Sequence, residues 1–419
     1  MTHWGQVRLK NLCVDAGQYG LNTSAENYAE SGTRLLRTTD ISSGTLTPAE
    51  AGVFVSDLPE ERFTLEEGDL LLSRSGTPPG QSYLVRAVDE GATFAGYLVR
   101  FRPQQGVDPR FLAYVARSAP FQHKIRSESV ASTIQNFNAE RYANLEFRAP
   151  DSAEQRRIAD FLDAETTRID QLSSLQQQVM RRLDEREAAQ LDLAIDDLVE
   201  RHGTVPLRRF LWGVDQGSSP QCEAVPAKDD EWGVLKVSCL RPGLFLPHEN
   251  KRLPDGVSSD RTSEVREGDL LITRANTPQL VGSTAVVHKV RSKLLLSDKI
   301  FRVRLSQGIS PDFVATVARG SRIRALCAAG SNGVSQSMAN IRFEEVKAWP
   351  LPAVGPDLQR DLVARISHGR VQLDALRPKV NRQLDLLAER RQALITAAVT
   401  GQIDVSTASG RDVTDGVSE

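Results

Sequence analysis

The stretch EGDLLLSR occupies residues 67–74, and a near copy, EGDLLITR, occupies residues 267–274. The dipeptide Thr77-Pro78 then recurs as Thr277-Pro278, so the offset stays at 200 residues without a gap. Similarity at a fixed period is the signature of a duplicated structural unit. A match this long and this rich in specific residues predicts that the chain is built twice from one plan.

Weaker similarities follow in the same order along the chain. QNFNAERY at residues 135–142 corresponds to QSMANIRF at residues 336–343, and each is followed by a short apolar segment that ends at Pro150 or Pro350. The dipeptide at Gln155 and Arg156 recurs 204 residues later. The repeat therefore covers almost the whole chain, in the order globular part, helix, globular part, helix.

The globular parts have the pattern of mixed α/β domains. A Gly-Asp turn followed by three apolar residues predicts short buried strands at residues 70–72 and 270–272. Further strands are predicted at residues 35–41 and 235–240, and short helices at residues 110–117 and 312–319. The predicted fold class is α/β (α+β), with two repeated mixed α/β domains separated by two long helices.

The long helices give the clearest pattern. Neither Pro nor Gly occurs between Glu154 and Glu200, and a helix of that length extends about 65–70 Å. Long or apolar residues step by three and four in both copies, which predicts an antiparallel two-helix coiled coil. The predicted seam residues are Ile169, Leu172, Gln176, Val179, Leu183, Arg186, Gln190 and Leu193, then Leu373, Leu376, Val380, Gln383, Leu387, Arg390, Leu394 and Ala397.

Two features qualify the coiled coil. Pro378 interrupts the second copy, so a kink or a restart of the helix is predicted there. The seam is polar at several steps, which suggests that further partners cover part of the helices. A plain dimerising coiled coil remains the structural alternative.

These patterns divide the chain into five segments. The segment after Gln402 is rich in Ser, Thr, Gly and Asp and is predicted to be disordered. The predicted boundaries are a first globular domain at residues 1–150, a central helix at 151–203, a second globular domain at 204–356, a C-terminal helix at 357–403 and a tail at 404–419.

Composition argues against a disulfide or zinc framework. The four cysteines, at positions 13, 222, 239 and 327, are scattered, and the six histidines are equally dispersed. Such usage fits a reducing compartment. The first residues lack the apolar run of a signal peptide, and no run of about 18 apolar residues occurs. We therefore expect a soluble cytoplasmic protein.

The net charge of −2 does not by itself suggest a nucleic-acid ligand. Its distribution is uneven, because residues 205–355 contain 21 Lys and Arg against 15 Asp and Glu, whereas residues 1–150 contain 15 against 17. A near-neutral domain still binds phosphate if its basic residues gather on one face.

Motifs for catalysis are missing from the sequence. There is no GxxxxGK[ST] phosphate loop, and Thr77-Pro78-Pro79-Gly80 lacks the Asn or Asp and the aromatic residue that an adenine methyltransferase loop needs. A metal-nuclease pattern fits Pro311-Asp312 and Glu345-Val346-Lys347 only loosely. We expect no catalytic residue, no metal and no cofactor in this chain.

Residues 154–163 (EQRRIADFLD) and 389–403 (ERRQALITAAVTGQI), together with the duplicated Gly-Asp-Leu-Leu segments, resemble the specificity subunits of type I restriction-modification systems. The resemblance implies a non-enzymatic DNA reader in which each globular domain reads one half of an asymmetric bipartite site and the helices set the spacing. It also implies docking of two methyltransferase subunits, with restriction subunits joining in some systems. S-adenosylmethionine, ATP and magnesium would then belong to those partners.

Candidate DNA contacts lie in two pairs of segments. Arg pairs with guanine, Asn or Gln with adenine, and Ser or Thr with phosphate or bases. A surface loop and a solvated helix face are the structural alternatives. The candidates are Arg74, Ser75, Thr77, Lys124, Arg126, Gln135 and Asn136 in the first copy, and Arg274, Asn276, Thr277, Arg322, Arg324, Asn332 and Gln336 in the second. The aromatics Phe137, Tyr97 and Phe245 are instead expected in the core.

A second function class stays open at this point. A coiled-coil adaptor with two globular heads that bind proteins would have the same repeat. DNA affinity separates the two, because a DNA reader loses affinity steeply as salt rises.

Overall fold

The computed structural model describes residues 4–42, 44–56, 59–76, 79–129, 136–257, 260–330 and 339–405. Four predicted contact residues, Thr77, Gln135, Asn332 and Gln336, lie outside these ranges, as does the predicted tail after residue 405. The chain forms two compact units. Unit 1 combines Met1–Gln177 with Asn381–Glu419, and unit 2 is the continuous segment Gln178–Val380.

Among its described residues, unit 1 contains short strands, three short α-helices and parts of two long ones. Its strands are β1 (Gly5–Arg8), β2 (Gln18–Tyr19), β3 (Thr33–Leu36), β4 (Ile41–Ser42), β5 (Thr45–Leu46), β6 (Val53–Val55), β7 (Leu70–Ser73), β8 (Ser82–Leu84), β9 (Thr93–Phe94), β10 (Leu98–Phe101) and β11 (Glu146–Ala149). Its short helices are α1 (Pro109–Arg117), α2 (Ala119–Ser129) and α3 (Ala139–Ala143). The long helix α4 (Ser152–His202) begins here and ends in unit 2.

Unit 2 continues the chain after α4. Its strands are β12 (Thr204–Pro206), β13 (Leu211–Gln216), β14 (Gly233–Leu235), β15 (Leu240–Arg241), β16 (Leu244–Phe245), β17 (Asn250–Arg252), β18 (Leu270–Thr273), β19 (Ala275–Asn276), β20 (Thr284–Val286), β21 (Leu294–Leu295), β22 (Ile300–Leu305), β23 (Ala339–Asn340) and β24 (Pro350–Pro352). Its helices are α5 (Pro311–Ala318), α6 (Ser321–Gly330), α7 (Phe343–Lys347) and α8 (Pro356–Asp374). The final helix, α9 (Arg377–Val399), begins in unit 2 and ends in unit 1.

The two units have the same sheet topology. The central sheet has the strand order β2-β10-β7-β8 in unit 1 and β13-β22-β18-β20 in unit 2. A three-stranded sheet, β6-β3-β9 or β17-β14-β21, accompanies it with one antiparallel and one parallel pairing. A two-stranded sheet, β1-β11 in unit 1 and β12-β24 in unit 2, is the third element that the units share. The predicted fold class, with a duplicated mixed α/β domain and long helices, is confirmed.

The repeated EGDLL motif forms the turn into the central strand of each sheet. Gly68 and Gly268 adopt φ values of +89° and +86°, a conformation that favours glycine. One residue later, a carboxylate oxygen of Asp69 or Asp269 accepts a hydrogen bond from a backbone N–H three residues earlier, at 2.9 Å in both units. The following strands, β7 and β18, are buried along their whole length. The turn therefore fixes where the central strand starts.

A buried arginine ties each central sheet to the preceding loop. Arg100 donates to the carbonyls of Arg62 and Thr64 and ion-pairs with Asp15. Arg302 makes the equivalent contacts, with the carbonyls of residues 262 and 264 and with Asp215. Because an unpaired buried charge is costly, these contacts make the arrangement specific.

A buried glutamine attaches each globular part to a long helix. Gln155 on α4 accepts from the N–H of Asp108, the N-cap of α1, and donates to the carbonyl of Pro150. Gln359 on α8 accepts from the N–H of Ser310 and donates to the carbonyls of residues 308 and 354. The duplicated glutamine therefore positions an equivalent helix, α1 or α5, in each unit.

The inward face of α4 differs from the predicted seam. Ile169 is buried and Gln176 and Leu183 are partly buried, as predicted. The prediction is wrong for the other seam residues of α4, which are exposed: Leu172 (44%), Val179 (41%), Arg186, Gln190 and Leu193 (70%). The residues that turn inward instead are Ser173, Met180, Glu187, Leu191, Ala194 and Leu198. The restart predicted at Pro378 is confirmed, since α8 ends at Asp374 and α9 begins at Arg377.

The last part of the chain completes the core of unit 1. Leu394 and Val399 of α9 are buried in one cluster with Ile158 and Leu162 of α4. Beyond α9, Ile403 and Val405 pack against the same cluster, as does Trp4 near the start of the chain. Unit 1 thus needs both ends of the sequence, whereas unit 2 is built from one continuous stretch.

Candidate nucleic-acid interface

In unit 1, Arg74 lies at the end of the central strand and is held by several contacts. Its Nε donates to Oδ1 of Asn136 across 3.3 Å, and Nη1 donates to the carbonyl of Gly96 across 3.4 Å. Its guanidinium also stacks over the ring of Tyr19, with 5.0 Å to the centroid. An isolated β-bridge joins Ser75 to Asn136. Three predicted contact residues, Arg74, Ser75 and Asn136, are therefore brought together.

Unit 2 repeats this arrangement around Arg274. Its backbone N–H donates to the carbonyl of Lys299 and its carbonyl accepts from Ile341, as Arg74 does with Tyr97 and Phe137. Its Nη1 donates to the carbonyl of Asp298 across 3.3 Å, which corresponds to the contact of Arg74 with Gly96. The same backbone frame thus presents an arginine at the same place in both units.

The neighbours of Arg274 differ from those of Arg74. Asn276 lies on β19, which pairs with β23, and its side-chain oxygen accepts from the N–H of Thr277. Thr277 opens a turn in which its carbonyl accepts from the N–H groups of Leu280 and Val281. Both side chains are partly exposed. In unit 2 the predicted residues Arg274, Asn276 and Thr277 thus lie on one continuous segment that begins after β18 and includes β19.

The sequence interpretation missed two tyrosines beside Arg74. Tyr97 was expected in the core, but this is wrong, because its side chain is 63% exposed. Phe137 is fully buried, as expected, and Phe245 is partly buried against the core of unit 2. Tyr19 is 37% exposed, and its hydroxyl accepts from the N–H of Ala139. The equivalent of Tyr97 in unit 2 is Lys299, so this position changes its chemistry between two otherwise similar frames.

The predicted basic residues of α2 face different surroundings. Lys124 is exposed, and its Nζ donates to the carbonyl of Glu146 on β11 across 3.1 Å. Arg126 is exposed and lies one helical turn beyond Gln122, whose amide donates to the carbonyl of Gly80. Arg126 is therefore on the helix face nearer the loop of Arg74, whereas Lys124 is directed towards β11.

In unit 2 the sequence alignment of this segment needs correction. Arg324 donates to the carbonyls of Val281 and Gln279, at 2.8 and 2.7 Å, so it corresponds to Gln122 and not to Arg126. Burial lowers the pKa of the Arg324 guanidinium. Its Nη1 and Nη2 atoms donate these two hydrogen bonds and thereby hold the loop that follows β18. Arg322, in contrast, is exposed.

Metal-binding clusters and membrane-spanning helices are both missing from the described residues. Within residues 4–405, apart from the gaps given above, no group of three or more His, Cys, Asp or Glu side chains is placed to hold a metal ion. None of the helices in those ranges is long and apolar enough to cross a membrane.

Comparison with known proteins finds similarity to type I restriction-modification specificity subunits. Residues 4–181 match the sequence model of the type I restriction modification DNA specificity domain. The type I restriction enzyme EcoEI specificity subunit of Escherichia coli is 30% identical over 188 residues, which cover 44% of this chain but only 32% of that relative. The EcoKI specificity subunit of Escherichia coli strain K12 is 22% identical over 388 residues, covering 88% of this chain and 82% of that relative.

The fold is shared as well. A chain solved in work on the structural basis of complex assembly and conformational transition of the type I R-M system superposes with a TM-score of 0.66. It is 16% identical, and the match covers 96% of this chain and 99% of that one. Residues 4–181 thus match the DNA specificity domain of type I systems, and the fold of the chain is similar to that of the solved chain.

Proposed function

We propose that this chain is the non-catalytic, DNA-reading subunit of a type I restriction-modification complex and that each unit reads one half of an asymmetric bipartite site. The observation that carries the proposal is the duplicated frame around Arg74 and Arg274. The two arginines form backbone hydrogen bonds with residues at equivalent positions of the two units, while the side chains beside them differ. Two similar frames with different side chains are what an asymmetric target requires.

Each arginine is suited to read a base edge. A guanidinium pairs bidentately with the O6 and N7 atoms of guanine in the major groove, and such a contact discriminates by about 1–3 kcal/mol. Asn136 and Asn276 supply amides of the type that recognises adenine. The contacts of Arg74 with Asn136 and Tyr19 hold its side chain in place before DNA arrives, which reduces the entropy lost on binding.

The exposed basic residues of α2 and α6 have a simpler role in this proposal. Lys124, Arg126 and Arg322 would contact phosphates, which position the protein and carry no sequence information. Arg324 would contribute indirectly, because it holds the loop after β18 through two carbonyls.

The long helices supply the docking surface for partner subunits in this proposal. Leu172 and Leu175 on α4 and Leu386 on α9 are 44%, 54% and 45% exposed within unit 1. Exposed aliphatic side chains grouped on helices are typical of protein interfaces. We expect methyltransferase subunits to cover them and to bring S-adenosylmethionine, with restriction subunits as further partners. The helices would also set the spacing between the half-sites.

A methylation map tests the proposal in the host. Long-read sequencing of the genome, with this gene intact and with it deleted, reports every methylated adenine motif. Deletion should abolish methylation at one bipartite asymmetric motif and leave all others unchanged. An unchanged map, together with a purified complex of this chain and the neighbouring methyltransferase that does not bind DNA at low salt, would favour the adaptor alternative.

A further inference from the structure

Unit 1 contains a cleft of about 460 Å³ that the proposed DNA contacts do not use. It lies between the β4-β5 hairpin, β8 and α1, and one residue of α4 completes it. Its walls are partly apolar, with Leu46 and Leu84, and partly cationic. The charged and hydroxyl-bearing groups that line it are Thr45, Tyr83, Arg86, Arg110, Tyr114, Arg117 and Asp163.

No ion pair joins Arg117, at one end of this cleft, to a carboxylate of the described residues, although Asp163 and Asp170 attract it from farther away. Its Nε is inaccessible to solvent and has no hydrogen-bond partner among the described residues, and its guanidinium lies 5.9 Å from the centroid of the Tyr114 ring. The other two arginines of the cleft are paired, Arg86 with Asp89 and Arg110 with Asp108 and Asp163. Burial, and after it the positive charge of Arg391, lowers the pKa of Arg117.

The equivalent arginine in unit 2 has the partner that Arg117 lacks. Arg319 donates from Nη2 to Oε1 of Glu187 across 2.6 Å. Both arginines lie under a glycine of the adjacent hairpin, Gly44 or Gly243, and a Cβ at either position would come within 2.6 Å of the arginine side chain. In both sites an arginine lies under a hairpin glycine, but the guanidinium pairs with a carboxylate only in unit 2.

The difference arises from one position of the repeat. The helices repeat with an offset of 204 residues, which makes Arg391 the counterpart of Glu187. Unit 2 thus places a carboxylate on the long helix beside its buried arginine, while unit 1 places a second arginine there. Arg391 forms its own ion pair with Asp170, Nε to Oδ1 at 3.3 Å, so this carboxylate is already shared when it acts on Arg117.

We propose that the cleft of unit 1 binds an acidic peptide segment of a protein partner, whose carboxylate pairs with Arg117 as Glu187 pairs with Arg319. An arginine in a partly apolar cleft gains a charge-assisted hydrogen bond and loses the cost of an unpaired buried charge when a carboxylate enters. A carboxylate is favoured over a DNA phosphate as the occupant because a carboxylate, that of Glu187, pairs with the equivalent arginine of unit 2. This site is independent of the proposed base contacts, so either can fail without the other.

A pair of matched peptides tests the binding. The full-length chain, labelled with ¹⁵N on arginine side chains, is titrated with a glutamate-containing hexapeptide and with the same peptide carrying glutamine. The Nε–H resonance of Arg117, identified by its loss in Arg117→Gln, should shift with the glutamate peptide and stay in place with the glutamine peptide. The control Arg156→Gln, an exposed residue of α4, should respond as the wild type does.

A second variant supplies the carboxylate from within the chain. Arg391→Glu recreates the residue found at the equivalent position of unit 2, so it should raise the melting temperature of the chain and abolish the shift caused by the glutamate peptide. Arg391→Gln should leave the peptide response intact. The proposal is overturned if the two peptides act alike at millimolar concentration, if Arg391→Glu still responds, or if a DNA duplex and not the acidic peptide shifts the Arg117 resonance.

Discussion

Arg302 donates from Nε to Oδ2 of Asp215 across 2.9 Å, and the arginine side chain is only 4% exposed at this contact. The same guanidinium also serves the carbonyls of Thr262 and Glu264. It is the point at which β13, β22 and the loop before β18 are joined. The stability of unit 2 should therefore depend on it strongly.

Replacement of this arginine should be among the most destabilising changes in unit 2. Arg302→Gln leaves the Asp215 carboxylate without its buried partner and two carbonyls without donors, and we expect a loss of about 3 kcal/mol in the free energy of unfolding. Urea unfolding measures it. Arg360→Gln is the matched control, since its ion pair with Asp357 is exposed and is worth less than about 1 kcal/mol. Equal effects of the two variants would contradict the role given to Arg302.

Asp215 predicts a specific acid dependence. Burial raises its pKa, but the ion pairs with Arg304 and Arg302 oppose this and leave the pKa below its ordinary value. A depressed pKa in the folded state stabilises above the unfolded pKa of about 3.9, and that stability is lost as the pH falls through the folded value. Unfolding followed between pH 7 and about pH 3 should show a smaller acid-induced loss in Asp215→Asn than in the wild type. An identical slope would show that Asp215 does not titrate with folding.

The two arginine frames should control one half-site each. Arg74→Gln should weaken binding to the cognate DNA by about 1–3 kcal/mol and relax base preference in one half only, and Arg274→Gln should do the same in the other half. Competition binding by the complex, with duplexes varied in one half at a time, separates the two effects. Lys124→Gln should lower affinity for all sequences alike and reduce the dependence on salt. If both arginine variants altered the same half, the division of labour between the units would be wrong.

The buried glutamine of each helix should hold the globular part locally. Gln359→Ala removes three hydrogen bonds and leaves the N–H of Ser310 without its acceptor, so a destabilisation of about 1–3 kcal/mol is expected. Hydrogen exchange should accelerate first at the start of α5. Gln171→Ala, at an exposed position of α4, is the control and should leave the exchange of α5 unchanged.

Much of the fold could be predicted from the sequence because the residues that determine it are close together along the chain. The turn of Gly68 or Gly268 and the following three apolar residues define a buried strand without reference to the rest of the chain. The long helix α4 was equally clear, since no Pro or Gly interrupts it. The repeat then allowed each assignment in one copy to support the other.

The buried face of the long helices was harder to predict from the sequence. The sequence ranks Leu172 above Ser173 as a seam residue, but Ser173 turns inward and Leu172 is exposed. Heptad positions drift around a straight helix with 3.6 residues per turn. Leu191 and Leu198 turn inward because they pack against the globular part of unit 2, a constraint that no local pattern contains.

The candidate interface was predicted only in part. Arg74, Ser75 and Asn136 were proposed from composition, and the fold brings them together. The exposure of Tyr97 was missed because an aromatic residue beside a strand usually belongs to the core. The equivalence of Arg324 and Gln122 was missed too, because an arginine and a glutamine do not align by residue type. Only the structure shows that both donate to a backbone carbonyl of the loop after the central strand.

Unit 1 is assembled from two separate segments of the chain, and this has a consequence for biosynthesis. Unit 2 is complete once residue 380 has left the ribosome, whereas unit 1 must wait for Leu394, Val399 and Ile403. Domains usually fold in the order in which they are made. Here the second half of the message has to be translated before the first half of the protein can close its core, so a premature stop within α9 would leave unit 2 intact and unit 1 open to proteolysis.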